Sequence, residues 1–177
     1  MANVRGCIGF VDMGRSNTFF GWGIRFVTAS KWSHSFVVID EETVLEANKR
    51  VEETPLSFYR NHPNASYELY RIVKADPDRV TRAIGHICRV YTGNEYGYLQ
   101  IPFFLFRAVY RWLGKQYESK TWTAGTICSE LVYVYQELVA DWFVGVDSSI
   151  DSDTCSPQDL YEIVKANPDC YQLIERK

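Results

Sequence analysis

The sequence lacks the features that mark nucleic-acid-binding proteins and metalloproteins. Its formal net charge is -3, so it has no excess of positive charge with which to bind a phosphate backbone. The five cysteines form no CxxC pair and have no metal-ligand spacing, and an odd number cannot all pair within one chain. Nucleic acid is therefore disfavoured as a partner, no metal site is predicted, and a reducing compartment is the simpler assumption.

Segments long enough to enter or cross a membrane are also missing. Residues 1–9 include Arg5 but no apolar run of signal-peptide length, so we expect a cytoplasmic protein. The apolar stretch 101–113 contains Arg107 and Arg111 and is too short to cross a hydrocarbon layer about 30 Å thick. It predicts a buried or pocket-lining helix, and an interfacial helix in peripheral contact with lipid is the alternative.

The sequence does have the composition of one globular domain. Hydrophobic residues make up 46% and charged residues 23% of the 177 residues, enough apolar material for a core of its own. It shows no repeat, low-complexity segment or linker, so residues 1–177 are predicted to form a single domain. Apolar, β-branched and aromatic runs, with alternation at 67–72, predict strands at 7–11, 33–40, 43–47, 67–72 and 171–174. Capping residues and helical spacing predict helices around Phe58 and from Asp76, Thr126 and Ser156.

Cys128 lies at the start of the segment with the clearest chemical signal. Thr126, two residues earlier, is a helix-capping residue, and apolar residues follow at helical spacing from Leu131 to Trp142. Cys128 is therefore predicted in the first turn of a helix, where free N–H groups and the helix dipole lower the pKa of a thiol. The alternative is a small buried hydrophobe, which is what an isolated cysteine usually is.

His34 and Glu46 are predicted to meet across a β-hairpin. The acidic turn 40–42 connects the strand that carries His34 to the strand that carries Glu46, and the start of the first lies near the end of the second. A carboxylate beside an imidazole fixes its tautomer and supports the imidazolium form, as in a nucleophilic triad. Each residue alone has an ordinary structural explanation. The other two histidines, His62 and His86, lack such a neighbour.

Five blocks of sequence carry a family resemblance. They are Lys31–Ile39, Val44–Ala47 with Val51 and Thr54–Leu56, Tyr96–Tyr98, Ile127–Val132, and Ser156–Leu160. In this order they resemble the circularly permuted NlpC-type group of papain-like cysteine hydrolases, and within that group the YiiX-like branch. Each block alone is a weak signal, but five blocks in the family's order over nearly the whole chain are fairly specific.

The resemblance implies an α+β, papain-like fold in which a small antiparallel sheet packs against helices and the histidine strand precedes the cysteine helix. It implies that Cys128 is the nucleophile, His34 the base and Glu46 the acidic third member of a triad. Tyr96 and Ser129 are assigned to oxyanion or substrate binding.

The sequence also departs from the family pattern. Gly97 stands where the family often has aspartate, and the segment from Tyr98 to Cys128 is longer than in compact members. Such an insertion is expected to form a wall or lid of the cleft. The missing signal peptide is typical of a phage-encoded or cytoplasmic protein, or of one that another protein delivers to the cell envelope.

The function predicted from these residues is thiol-dependent hydrolysis of amide bonds, and the resemblance points to peptides of peptidoglycan stems as substrate. The triad itself specifies only an acyl group, so a lipid acyltransferase or phospholipase reaction is one alternative. A catalytically inactive binding module on the same scaffold is the other. The reaction needs no cofactor, and the oligomeric state stays open.

Overall fold

A computed structural model describes residues 3–14, 31–95, 126–140 and 155–177. The predictions for Tyr96, for the 101–113 stretch and for the insertion before Cys128 fall largely or wholly outside these residues. Within them, the elements in chain order are β1 Ile8–Asp12, β2 His34–Val38, β3 Thr43–Ala47, β4 Val51–Pro55, α1 Leu56–Asn61, β5 Ser66–Ile72, α2 Pro77–Tyr91, α3 Cys128–Val139, α4 Pro157–Ala166 and β6 Tyr171–Arg176.

The strands form a single antiparallel sheet of six, in the order β4-β3-β2-β1-β5-β6. The sequence predicts five of them and misses β4, since no strand is predicted at Val51–Pro55. β4 is an edge strand, and it is polar on its outward face, so its apolar signal is weak. Pro55 is tolerated because it ends an edge strand. The chain is therefore α+β, as predicted.

Both faces of the sheet are buried. On one face, Val37 and Leu45 pack with Ile87 of α2, Leu131 of α3 and Leu160 of α4. On the other, Phe36, Val38 and Val44 pack with Tyr59 of α1. Alternate residues of a strand point to opposite faces, so β2 contributes to both cores. α3, which begins at Cys128, packs on the first face against β2.

Two of the predicted helix starts are confirmed. The Asp76 side chain accepts a hydrogen bond from the N–H of Asp78, and Pro77 is the first helical residue of α2. The Ser156 and Asp159 side chains cap α4 reciprocally.

The predicted cap of α3 is wrong by one residue. Thr126 is still extended, because its N–H donates to the Glu95 carbonyl oxygen at 3.0 Å, and the N-cap residue is Ile127. The N–H of Ile127 donates to the Glu130 carboxylate at 3.3 Å instead. Cys128 is consequently the first helical residue. Among the described residues, no helix is long and apolar enough to span a bilayer.

Candidate active site

Cys128 lies at the N-terminus of α3 and is only 2% exposed. The first N–H groups of a helix have no partner within the helix, and they carry the positive end of its dipole. A negatively charged sulfur, or an anion bound beside it, is therefore stabilised at this position.

His34, the first residue of β2, lies between Cys128 and Glu46. Its Nε2 atom is 2.6 Å from Oε2 of Glu46, and the Glu46 side chain is only 2% exposed. Because Nε2 is occupied by the carboxylate, Nδ1 is the ring atom left to interact with the sulfur. The β2–β3 hairpin thus brings the imidazole and the carboxylate together as the sequence indicated.

Charge interactions among Cys128, His34 and Glu46 favour the thiolate form of Cys128 and the imidazolium form of His34. Burial raises the pKa of Cys128, but the charge and hydrogen bond of His34, together with the backbone and side chain of Ser35, outweigh burial, so the pKa is lowered. Burial lowers the pKa of His34, but Cys128 and Glu46 outweigh it, and the net pKa is raised. Both shifts favour a thiolate–imidazolium pair over a neutral thiol beside a neutral imidazole.

Glu46 is held by two further side chains, those of Tyr59 and Thr54, to which the sequence analysis assigned no role at the site. The Tyr59 hydroxyl of α1 donates a hydrogen bond to Oε2 of Glu46. Burial raises the pKa of Glu46, but hydrogen bonds from His34, Thr54 and Tyr59 hold it below its ordinary value. Tyr59 is itself fixed by stacking on Phe36, with ring centroids 4.9 Å apart. The sequence offered no signal for this role beyond an aromatic residue in a short helix.

Burial raises the pKa of the Tyr59 hydroxyl, and the Glu46 carboxylate raises it further. The hydroxyl therefore stays protonated and remains a hydrogen-bond donor. A buried carboxylate with three such donors is fixed in orientation, so it can hold the ring of His34 in one tautomer.

Ser35, the residue after His34, is completely buried. Its hydroxyl is close enough to the sulfur of Cys128 to lower the pKa of that thiol. Nevertheless, it makes no hydrogen bond of normal geometry to any group in the described part of the chain. A buried hydroxyl left in this way costs about 1–3 kcal/mol of stability.

Ser129 and Tyr96 were both predicted to bind the oxyanion or the substrate. The Ser129 side chain is buried, and its hydroxyl donates to the Cys155 carbonyl oxygen at 2.5 Å, which connects α3 to the residues before α4. Its backbone N–H lies in the first helical turn, whose donors have no partner within the helix. Tyr96 lies outside the described residues, so its role remains a prediction.

Two other cysteines have the opposite electrostatic environment. Burial raises the pKa of Cys7 to about 11, and burial also raises that of Cys88. At Cys7 the charge and hydrogen bond of Arg71 lower the pKa but do not outweigh burial, so that thiol stays protonated. At Cys128 the interactions with His34 and Ser35 do outweigh burial, so Cys128 is the reactive thiol of the three.

The fold and the site together define an α+β protein in which a cysteine at a helix N-terminus meets a histidine and a glutamate of an antiparallel hairpin. Comparison with solved structures shows that this fold is YiiX-like. The crystal structure of metalloprotein YiiX from Escherichia coli O157:H7, a DUF1105 protein, is similar, with a TM-score of 0.54 and 17% sequence identity. The similarity covers 98% of this chain and 97% of that one. Comparisons with protein-family models and with curated proteins gave no match.

The description of that neighbour as a metalloprotein raises the question whether the residues here fit a metal ion. Within the described ranges, no group of three or more His, Cys, Asp or Glu side chains is arranged to hold one. Glu46 makes a hydrogen bond to Nε2 of His34, the ring nitrogen that does not face Cys128. Its carboxylate therefore orients the imidazole and is not placed to bind a metal ion together with Cys128. These residues therefore do not fit a metal site, and no chemical step below involves a metal.

Proposed function

We propose that this protein is a cysteine-dependent hydrolase of amide bonds with a papain-like, circularly permuted arrangement of its catalytic elements. The observation that carries the proposal is the continuous contact from Glu46 through His34 to Cys128 at a helix N-terminus. Each member shifts the pKa of the next in the direction that nucleophilic catalysis needs. The histidine strand precedes the cysteine helix in this chain, which is the order that the permuted arrangement requires.

The first half of the reaction forms an acyl-enzyme. The Cys128 thiolate attacks the carbonyl carbon, and the carbonyl electron pair moves onto oxygen. As the C–N bond breaks, the His34 imidazolium donates its proton to the leaving amine, and Glu46 keeps the ring in place throughout. The products are a thioester on Cys128, a neutral His34 and a free amine.

The second half restores the enzyme. Neutral His34 takes a proton from water, and the resulting hydroxide attacks the thioester carbon. The C–S bond breaks, the carboxylic acid is released, and the sulfur leaves as the thiolate beside protonated His34. In both halves the oxyanion lies against the Cys128 backbone N–H, and Tyr96 is the proposed second donor. One such donor typically contributes about 3 kcal/mol to the transition state.

The proposed substrates are peptide or isopeptide bonds of peptidoglycan stems. This choice rests on the family resemblance, because the triad by itself specifies only an acyl carbon. The assay that tests it incubates purified stem peptides with the protein and follows release of free amine, with Cys128→Ala as the matched inactive variant. Undiminished amine release by Cys128→Ala would end the proposal.

A second assay tests the site without a substrate. We expect iodoacetamide to modify Cys128 at pH 6–7 faster than free cysteine, with Cys7 as the unreactive internal comparison in the same mass spectrum. A Cys128 that reacts no faster than free cysteine would instead favour a binding module. Prior incubation with EDTA should leave the rate unchanged, whereas an increase would show that a metal had been protecting the thiolate.

A further inference from the structure

Ser35 occupies a distinctive position beside the nucleophile. It lies directly opposite Phe10 in the β1–β2 register, so its side chain points to the sheet face on which α3 packs. His34, one residue earlier, starts the strand and contacts Cys128 from the strand end. β2 therefore presents two polar groups to the same sulfur, the imidazole of His34 and the hydroxyl of Ser35.

The hydroxyl of Ser35 has no structural use that the described residues reveal. It is fully buried without a hydrogen bond of normal geometry in the described part of the chain. Neighbouring serines differ: the Ser33 hydroxyl donates to the Val11 carbonyl oxygen at 3.2 Å, and that of Ser129 donates to Cys155. A hydroxyl kept at a cost to stability in contact with a reactive group is typical of a functional residue.

We propose that Ser35 is a further catalytic residue, whose hydroxyl donates a hydrogen bond to the sulfur of Cys128 when that sulfur is a thiolate. A neutral thiol is a weak acceptor, so the hydroxyl gains little from it. When the thiol proton moves to His34, the sulfur becomes an anionic acceptor and the hydroxyl rotates to meet it. This role rests on the proposed function, since it stabilises the nucleophile of that same reaction.

The experiment measures the rate of Cys128 alkylation by iodoacetamide against pH in the full chain, for the parent, Ser35→Ala and Ser33→Ala. Removing the Ser35 hydroxyl should raise the apparent pKa of Cys128 by about one unit. At pH values well below that pKa, the thiolate fraction and the alkylation rate should then fall roughly tenfold. The melting temperature of Ser35→Ala should stay the same or rise, because an unsatisfied buried hydroxyl is gone. Ser33→Ala should keep the parent pH profile and melt at a lower temperature.

Ser35→Thr keeps the hydroxyl and suits a strand, so it separates the donor from the shape of the side chain. A parent-like pH profile in Ser35→Thr, beside a raised pKa in Ser35→Ala, supports the proposal. A parent profile in Ser35→Ala, or equal pKa increases in both variants, overturns it.

The outcomes also separate this proposal from the proposed function. If parent Cys128 reacts quickly and depends on His34 but not on Ser35, only the role of Ser35 fails. If parent Cys128 titrates like an ordinary thiol and His34→Ala changes nothing, the proposed function itself fails.

Discussion

Two buried glutamates on opposite faces of one sheet, Glu46 and Glu68, show how the partners of a carboxylate decide its role. They are 2% and 3% exposed, and each accepts hydrogen bonds from tyrosine hydroxyls. Glu46 has His34 as its charged partner, and the charge of an imidazole depends on a proton that Cys128 can supply. Glu46 therefore belongs to a group that can change its ionisation during a reaction.

Glu68 has permanent cations instead. Its Oε1 atom lies 3.4 Å from Nζ of Lys31 and 3.0 Å from Nε of Arg176. Tyr70 and Tyr161 donate to its Oε2 atom at 2.5 and 3.1 Å, so Glu68 connects β5, β6, α4 and the segment before β2. Burial raises the pKa of Glu68, but these hydrogen bonds and charges hold it below its ordinary value. Lowered pKa and burial are thus common to both carboxylates, and only the titratable partner marks a candidate member of a catalytic triad.

The largest expected effect comes from removing the titratable partner itself. His34→Ala should lower turnover by about 10²–10⁴-fold at pH 7, because both the proton donor and the charge that stabilises the thiolate are lost. His86→Ala, an exposed histidine on α2, is the matched control and should behave like the parent. Amine release under saturating substrate is the measurement, and equal losses in both variants would contradict the assignment.

Exchanging each carboxylate for its neutral amide tests the comparison directly. Glu46→Gln should lower the rate of Cys128 alkylation at pH 6 by on the order of tenfold or more, since a neutral amide supports the imidazolium less and the pKa of Cys128 rises. Glu68→Gln should leave that rate unchanged. A similar loss of reactivity in Glu68→Gln would show that the second network also serves the site.

Glu68 is expected to affect the stability of the fold rather than the reactivity of Cys128, and this contribution should depend on pH. Its folded pKa is lowered, so its contribution is present above the unfolded carboxyl pKa of about 4.3 and is lost as the pH falls through the folded value. Glu68→Gln should accordingly melt about 2–4 °C below the parent at pH 7. The difference should shrink as the pH falls below about 4, and a difference independent of pH would contradict this account.

The smallest expected effects come from the tyrosine donors. Tyr59→Phe removes one of three donors to Glu46, and we expect a two- to tenfold slower alkylation of Cys128, corresponding to about 1 kcal/mol. Tyr161→Phe removes a donor to Glu68 and should change only the melting temperature. If the two variants slow alkylation equally, Tyr59 has no special connection to the site.

Much of the candidate site could be predicted because its parts are local in sequence. The turn at 40–42 fixes which ends of two adjacent strands meet, so the approach of His34 to Glu46 follows from the hairpin alone. The apolar spacing after Cys128 likewise places that residue in a first helical turn. The cap of this helix was misjudged because Thr126 pairs with Glu95, a contact that depends on another part of the chain.

The contributions of Tyr59, Thr54 and Ser35 could not be predicted in the same way. Tyr59 reaches Glu46 because α1 packs on the sheet face that carries Phe36 and Val44. Ser35 reaches Cys128 because α3 packs on the opposite face. A missing hydrogen-bond partner, as at Ser35, is a property of the packed environment and leaves no trace in a sequence pattern.

The sequence by itself determined the local geometry of this protein: the hairpin that pairs His34 with Glu46, the capped starts of α2 and α4, and a cysteine at a helix start. These follow from hydrogen bonds and side-chain periodicity among residues close in the chain. Only the tertiary structure decided that α3 brings Cys128 to His34. The tertiary structure also decided which cations lie beside each glutamate: His34 beside Glu46, and Lys31 and Arg176 beside Glu68. Glu46 and Glu68 lie on opposite faces of the sheet, and different distant segments pack on each face.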